Sequence, residues 1–362
     1  MLFAIIALAC AALIGFAAHR ASLCNVRAVA EIMTTGSAHM LWSLLQAMLW
    51  AIVLTGVLVL VFGLAPQPAW ARIPLAWAWA GGLLFGVGAA VNGGCSLSTL
   101  TRLADGDLGM LAALGGFLAG VTTWLAVQAA GWAAGLEPVV SPWLRWPRSA
   151  PWLLAVLLAW ALHRAHVLWR LSRGHRQLKA VLLAPAYHLS VSAALLGLAA
   201  GLLYATQGAW SYTNYLRTQV LHSLEAAPAP VMWHGVLVVG LLAGMVASAL
   251  QRGSFGWRRP VNAGGWLRHA GGGALMGAGA AMVPGGNDTL LLAGLPTLTA
   301  GALASYLAML AGIALVLGAL RAARAPMSAI SCSPSGCESL EASGSGAPAE
   351  AEPGPHAIER TS

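Results

Sequence analysis

Charge is what this chain has least of. Only 8% of its 362 residues are Asp, Glu, Lys or Arg, 59% are hydrophobic, and the mean hydropathy is +0.75. Soluble globular domains carry about 25% charged residues, so the composition excludes one and specifies a polytopic membrane protein. Cysteine is scarce too, with five residues at 10, 24, 95, 332 and 337. An odd number, two of them at membrane depth, argues against a disulfide framework. None stands at zinc-ligand spacing with a histidine, so no metal is expected. Phosphate loops, nucleophile–base arrangements and dinucleotide fingerprints are all missing from the sequence. The expectation is therefore no cofactor and no catalytic residues. The first 18 residues have no basic n-region and no cleavage site after them, and read as an uncleaved helix. Ala7-Leu8-Ala9-Cys10 is a poor lipobox, which leaves Cys10 as a small buried helix residue.

Acidic residues are few and unevenly placed. Five of the eleven (Glu338, Glu341, Glu350, Glu352 and Glu359) lie near the C-terminus, and before Pro326 the balance is 18 basic residues to 6 acidic. In a membrane protein that excess reads first as topology anchoring, and it suits the handling of anions. The basic residues are scattered singly between apolar runs, which argues against nucleic-acid binding.

What is present is a series of apolar runs. A spanning helix needs about 20 such residues, and nine candidates follow: 2–18, 40–63, 74–91, 108–134, 151–167, 181–204, 233–250, 268–283 and 299–320. The loop 163–179 carries Arg164, Arg170, Arg173, Arg176 and Lys179 and is expected to be cytoplasmic. Counting spans outward from it puts the N-terminus outside and the C-terminus inside. Trp-rich patches at Trp70–Trp79 and Trp143–Trp152 read as interfacial anchors. The division is a transmembrane domain over 1–325, with repeat halves at about 1–134 and 181–320, and a Ser/Gly/Ala/Pro/Glu tail over 326–362 expected to be disordered.

The halves share a pattern. Gly82-Leu-Leu-Phe-Gly86-Val-Gly88-Ala89-Ala90 matches Gly273-Ala-Leu-Met-Gly277-Ala-Gly279-Ala280-Ala281. With one extra residue in the second copy, Gly93-Gly94-Cys95 then matches Gly285-Gly286-Asn287. A weaker upstream match pairs Arg20-Ala-Ser22-Leu-Cys24 with Arg252-Gly-Ser254-Phe-Gly256. Counted through the spans, the two Gly-Gly breaks fall on opposite sides of the membrane, as an inverted repeat requires.

Each feature admits two readings. Gly86, Gly88, Gly277 and Gly279 serve helix packing or function. The Gly-Gly pairs break a helix at depth, and a helix starting at Ser96 or Asp288 would aim its free N–H groups at an anion. Cys95 is a buried apolar residue or a ligand contact. Arg20 and Arg27 flank Cys24, where they favour a thiolate or merely anchor the interface. Asn287 and Asp288 cap a short helix, or form a proton or cation site. Glu31, Asp105 and Asp107 are expected near the interface. Cys332 and Cys337 are incidental tail residues or a redox pair.

Taken together, HRASLCNVRAVAE (19–31), GGLLFGVGAAVNGGCSLSTLTRLADGDLG (81–109), QRGSFGWRRP (251–260) and GGGALMGAGAAMVPGGNDTLLL (271–292) resemble the YeeE/YedE family of sulfur-compound transporters. The resemblance extends to about residue 320. It implies an hourglass-shaped, all-α membrane protein of about nine transmembrane helices plus short re-entrant helices. Thiosulfate would pass a central constriction through S–H hydrogen bonds. Cys24 and Cys95 match the family's first two motif cysteines, and the third falls at Asn287, where this chain departs from the pattern. An amide donates stronger hydrogen bonds than a thiol, and an ionised Asp288 would repel a dianion.

The resulting expectation is an inner-membrane permease, with no enzyme activity, for a small sulfur-containing anion. Cys24, Cys95 and Asn287 line the constriction, Gly93, Gly94, Gly285 and Gly286 shape the breaks, Arg20 and Arg252 attract the anion, and Asp288 stands beside them. Two rivals are a persulfide-transferring membrane relay and a docking subunit for a soluble cytoplasmic sulfur-carrier protein.

Overall fold

The computed structural model describes residues 2–63, 70–72, 74–131, 137–139, 142–172, 188–224, 229–283, 285–324, 329–333 and 336–340. Long helices dominate: α1 (Leu2–Ala21), α3 (His39–Leu60), α4 (Leu75–Asn92), α6 (Gly109–Ala129), α8 (Ala150–Ser172), α9 (Leu189–Gln207), α11 (Met232–Arg252), α12 (Ala263–Met282) and α14 (Ala300–Ala322). Short helices lie between them: α2 (Asn25–Thr35), α5 (Ser96–Ala104), α7 (Pro142–Arg145), α10 (Tyr212–Ser223) and the turn α13 (Asn287–Thr289). After α13 the chain continues as a π-helical turn, Leu290–Gly294, and a 3-10 turn, Leu295–Thr297. Among the described residues, eight helical stretches are long and apolar enough to cross a membrane. The glycine-rich α12 has the length for a ninth crossing and packs between α4 and α6. The chain is an all-α polytopic membrane protein.

Two small antiparallel pairings accompany the helices. Strand β1 (Trp70–Arg72) pairs with β2 (Glu137–Val139), and β3 (Ala329–Ser333) pairs with β4 (Gly336–Leu340), with Cys332 opposite Cys337. Of the stretch expected to be disordered, 329–333 and 336–340 thus pair as strands, with β3 against α2, and 326–328, 334–335 and 341–362 lie outside the described residues. In the basic loop, Arg164 and Arg170 belong to α8, whereas Arg173, Arg176 and Lys179 lie outside the described residues.

The helices pack as a swapped pair of halves. Helix α1 lies parallel to α11, α3 to α9, α6 to α12 and α4 to α14, while α4 and α12 run antiparallel at the centre. This pairing is preserved when α1, α3, α4 and α6 are exchanged with α9, α11, α12 and α14, so the halves are related by inversion. The upstream match expected from sequence is therefore corrected. Arg252 ends α11, the counterpart of α3, so Arg252–Gly256 is not the partner of Arg20–Cys24. In this arrangement α2 corresponds to α10, and Ser211, which precedes α10, corresponds to Cys24.

Close approach explains the glycine periodicity. A Cβ at Gly86 would collide with the Met309 carbonyl oxygen, and one at Gly277 with that of Phe117. Small residues let backbones approach where lipid gives helices no hydrophobic reason to associate. Trp143 departs from the interfacial expectation. It is 1% exposed, packs against Gly56 of α3, and donates from Nε1 to the Pro296 carbonyl at 2.9 Å. It ties α7 to the 3-10 turn that follows α13.

Gly277→Leu should destabilise the protein by about 1–3 kcal/mol or more, because a backbone carbonyl cannot yield as a side chain does. Gly115→Ala, which meets nothing within 4 Å, should melt like wild type. Thermal unfolding in detergent checks both, and equal melting temperatures for the three proteins would contradict this account of the packing.

Candidate functional site

Four helix starts converge at the centre. Helix α4 ends at Gly93, whose φ of 77° is left-handed, and Gly94 N–H donates to Ala89 O at 2.9 Å. Beyond α12, Gly285 has φ 104° and its N–H donates to Ala280 O at 2.9 Å. Both breaks need positive φ, which glycine adopts without a steric penalty. The new helices then start by donating back to Cys95 O from Thr99 and to Gly286 O from Leu290. A Cβ at Gly94 would meet Ser98 Oγ, and one at Gly285 would meet Thr289 Oγ1.

These contacts set the register between halves at Gly94 with Gly285, Cys95 with Gly286, Ser96 with Asn287 and Ser98 with Thr289. The sequence alignment, which placed Asn287 opposite Cys95, is corrected by one residue. Asn287 takes the place of Ser96, and Gly286 takes the place of the thiol. At Gly286 a Cβ would sit 2.9 Å from Asp288 Oδ1 and 3.1 Å from Phe85, so the position is closed to any larger residue unless its neighbours shift.

In the first half two thiols meet. Cys24 precedes α2 and Cys95 precedes α5, with exposures of 2% and 1%. Their side chains contact each other, and Cys24 Sγ donates to Ser98 Oγ at 3.4 Å. The Cys24 sulfur faces the Arg27 N–H, and the Cys95 sulfur faces the N–H groups of Asn25 and Ser98. Sulfur is a weak acceptor, so the first-turn donors of two helices are only lightly engaged where their dipoles favour negative charge. Asn25 is fully buried, and its Oδ1 accepts from Tyr306 at 2.9 Å.

Hydroxyls replace the thiols in the second half. Ser211 Oγ accepts from Asn214 N at 3.2 Å and contacts Thr289 Oγ1 at 2.5 Å, the counterpart of the Cys24–Ser98 contact. Thr213 Oγ1 accepts from Gly286 N at 2.8 Å. The halves touch where Asn287 Oδ1 accepts from Ser96 N at 3.2 Å and from the Ser96 hydroxyl, and where Tyr212 Oη donates to Ser96 O at 2.5 Å.

A mouth lies at each end. One, of about 550 Å³, is lined by Arg102, Arg258, Arg259, Arg268 and His269, with Asp107 paired to Arg102 at 2.7 Å. The exposed Gly93 sits on this side, next to the Arg102 guanidinium. The other mouth, of about 380 Å³, is lined by Gln207, Ser211, Asn214, Tyr215, Thr218 and His234. His234 is near the start of α11 and Arg258 lies beyond its end, so the mouths open on opposite faces.

Arg20 is not at a mouth. It is 2% exposed, lies over the Phe16 ring, and donates from Nη2 to Gln251 Oε1 at 2.6 Å, tying α1 to α11. Glu31 is likewise buried and accepts from the N–H groups of His39 and Met40, capping α3. Sequence reasoning missed Ser211, Thr213 and Thr289, and missed the arginine mouth as a unit. Arg258-Arg259 with Arg268 was the signal for the latter.

Asp105 anchors the outer end of α5. Its Oδ1 accepts from Ser254 at 2.6 Å and lies 3.0 Å from His19 Nε2, while His19 Nδ1 lies 2.9 Å from Ser248 Oγ. Burial works against ionisation, but the hydrogen bonds from His19 and Ser254 and the nearby Arg258 charge outweigh it, holding this carboxyl below the usual carboxylate range. A depressed folded value contributes stability above the unfolded carboxylate range and loses it as pH falls through the lowered value. Asp105→Asn should therefore flatten the acid limb of melting temperature against pH in detergent. An unchanged limb would mean that the carboxylate does not brace α5.

The profile of a family described as "Sulphur transport" matches residues 20–315. A protein named thiosulfate transporter TsuA, from Spirochaeta thermophila, is 26% identical over 259 residues, which cover 63% of this chain and 72% of that protein.

Proposed function

The chain belongs to the sulphur transport family, and on that premise we propose that it is an inner-membrane permease for a small sulfur-containing anion of the thiosulfate kind. The supporting observation is the pair of touching thiols, Cys24 and Cys95, at the starts of α2 and α5. Thiols are soft, weak donors, and lightly engaged backbone N–H groups behind them supply the favourable field for a negative charge. Passage needs sites that bind and still release. An anion drawn into the arginine-lined mouth passes Gly93 and Gly94, exchanges water for the Cys95 and Cys24 thiols, and meets Ser96 and Asn287 where the halves touch. Gly285 and Gly286 keep the second break open to Ser211 and Thr289, beyond which lies the neutral mouth. No bond to sulfur is made or broken, so this is transport and not catalysis. Arg20 holds α1 against α11 in this reading, and Arg102, Arg258, Arg259 and Arg268 collect the anion. The C-terminus lies on the cytoplasmic side.

Labelled thiosulfate, sulfite and sulfate should be offered to proteoliposomes. Cys95→Ala should lower uptake of the preferred anion about tenfold or more, the loss of one hydrogen bond to a charged group, about 1.5–3 kcal/mol. Cys95→Ser should retain part of the flux, whereas a persulfide relay would lose all activity. If none of the three anions enters faster than into empty liposomes, the permease reading fails for these substrates.

A further inference from the structure

Asp288 is a carboxyl group with nothing in the transport path to use it. It is 2% exposed and makes no ion pair among the described residues. Its Oδ1 is 2.5 Å from Thr213 Oγ1 and 3.1 Å from Ser96 Oγ, and its Oδ2 accepts from Thr213 N at 3.2 Å. The residues of α1, α3 and α9 lining the small cavity beside it are Ile14, Leu44, Ala47, Met48 and Leu196, all apolar. The titratable group facing it is Tyr212 from α10, whose hydroxyl is committed to Ser96 O, and Cys95, which precedes α5, lies next to Tyr212. Neither is a cation.

Counting protons shows what is missing. The Ser96 hydroxyl touches two acceptors, Asn287 Oδ1 and Asp288 Oδ1, and has one proton to give. The Asn287 amide cannot be flipped to relieve this, because the Ser96 N–H also points at Oδ1. If Asp288 is ionised, one of the two contacts sets lone pair against lone pair in a dry site, where unpaired polar groups are costly. A proton on Asp288 Oδ1 removes the conflict. Asp288 donates to Ser96 and Ser96 donates to Asn287, while Oδ1 still accepts from Thr213 Oγ1 and Oδ2 from Thr213 N. Each of these contacts then has one donor and one acceptor.

We propose that Asp288 is a proton-binding site in the constriction, held as a neutral carboxylic acid, and that an anion passes only while the proton is present. The second part rests on the permease reading; the first does not. The ionised form would set a negative charge beside the meeting point of the halves and repel the anion. Protonated, the same group is the head of a hydrogen-bond chain, Asp288 to Ser96 to Asn287, that crosses to the first half at Ser96 and returns to the second. The sign follows directly. Flux is full below the pH at which Asp288 releases its proton and is lost as pH rises through it.

Infrared difference spectra of the purified protein, wild type minus Asp288→Asn at neutral pH, test the proton without any transport. A carbonyl band of a protonated carboxylic acid, sensitive to deuteration and lost at alkaline pH, is expected. A folded variant with no such band in the difference overturns the proposal, including the case of an ionised Asp288 balanced by sodium. Should Asp288→Asn not fold, Asp288→Glu should shift the same band. In proteoliposomes, wild-type uptake of labelled thiosulfate should fall over the pH range in which the band is lost, and that fall should be missing from Asp288→Asn. Flux that persists while the band disappears overturns the gating. A band with no uptake of any sulfur anion upholds the proton site and overturns the permease reading instead.

Discussion

Ending a helix inside a bilayer without stranding its backbone is the constraint on which the rest of this structure depends. No water is available in the hydrocarbon to satisfy a broken turn, so irregular backbone is tolerated only where protein encloses it. The enclosure here is the tight packing of α4, α6, α12 and α14, in which glycines at 86 and 277 lie directly on the carbonyls of the next helix. Inside it, several released groups find partners within the site. Gly94 and Gly285 donate back into the helices they end, Ser96 N–H donates to Asn287, Gly286 N–H to Thr213, and Thr213 N–H to Asp288. The N–H groups behind the two thiols are only lightly engaged, by sulfur. On the permease reading, the site for an anion is the part of the break that the protein left under-satisfied.

How much of this was legible follows from what each feature is made of. Long apolar runs and Gly-Gly breaks announce themselves, because hydrophobic span length and positive φ each admit few residue types. The repeat was legible in α4 and α12 for the same reason, since both need glycine at the same close approaches. The rest of the repeat was not. Cys24 and Ser211 occupy equivalent places before α2 and α10 but differ in residue type, thiol against hydroxyl, and Gly208-Ala209-Trp210-Ser211 reads as an ordinary loop. A superficial likeness between Arg20–Cys24 and Arg252–Gly256 then filled the gap, although those segments end helices of different rank in their halves. The one-residue slip at Asn287 has a related cause. Sequence aligns the two Gly-Gly pairs as units, whereas backbone hydrogen bonds align Gly94 with Gly285.

Charge was misread in a different way. Singly scattered arginines look like anchors, and composition does not reveal that Arg102 from α5, Arg258 and Arg259 from the segment after α11, and Arg268 from α12 gather at one mouth. Arg20, which did look like an anion attractor, is spent on holding two helices together. Proximity in sequence to a reactive cysteine was weaker evidence than the helix packing that decides where a guanidinium can reach solvent.

The two halves therefore perform different physical tasks on one scaffold. An inverted repeat with identical chemistry would offer the same face to both sides of the membrane. This chain offers cations and thiols on one side and neutral groups and hydroxyls on the other. The charged mouth raises the local concentration of an anion, an effect that salt screens. It does little to tell one anion from another, because point charges at that range see net charge and not atom type. On the permease reading, discrimination belongs to the dry centre, where the Cys95 thiol lies one residue before Ser96 and the Asn287 amide is the symmetry mate of Ser96. On the proposed reading, the hydrogen-bonding softness of sulfur and the protonation of a single carboxyl there decide what can follow the field inward.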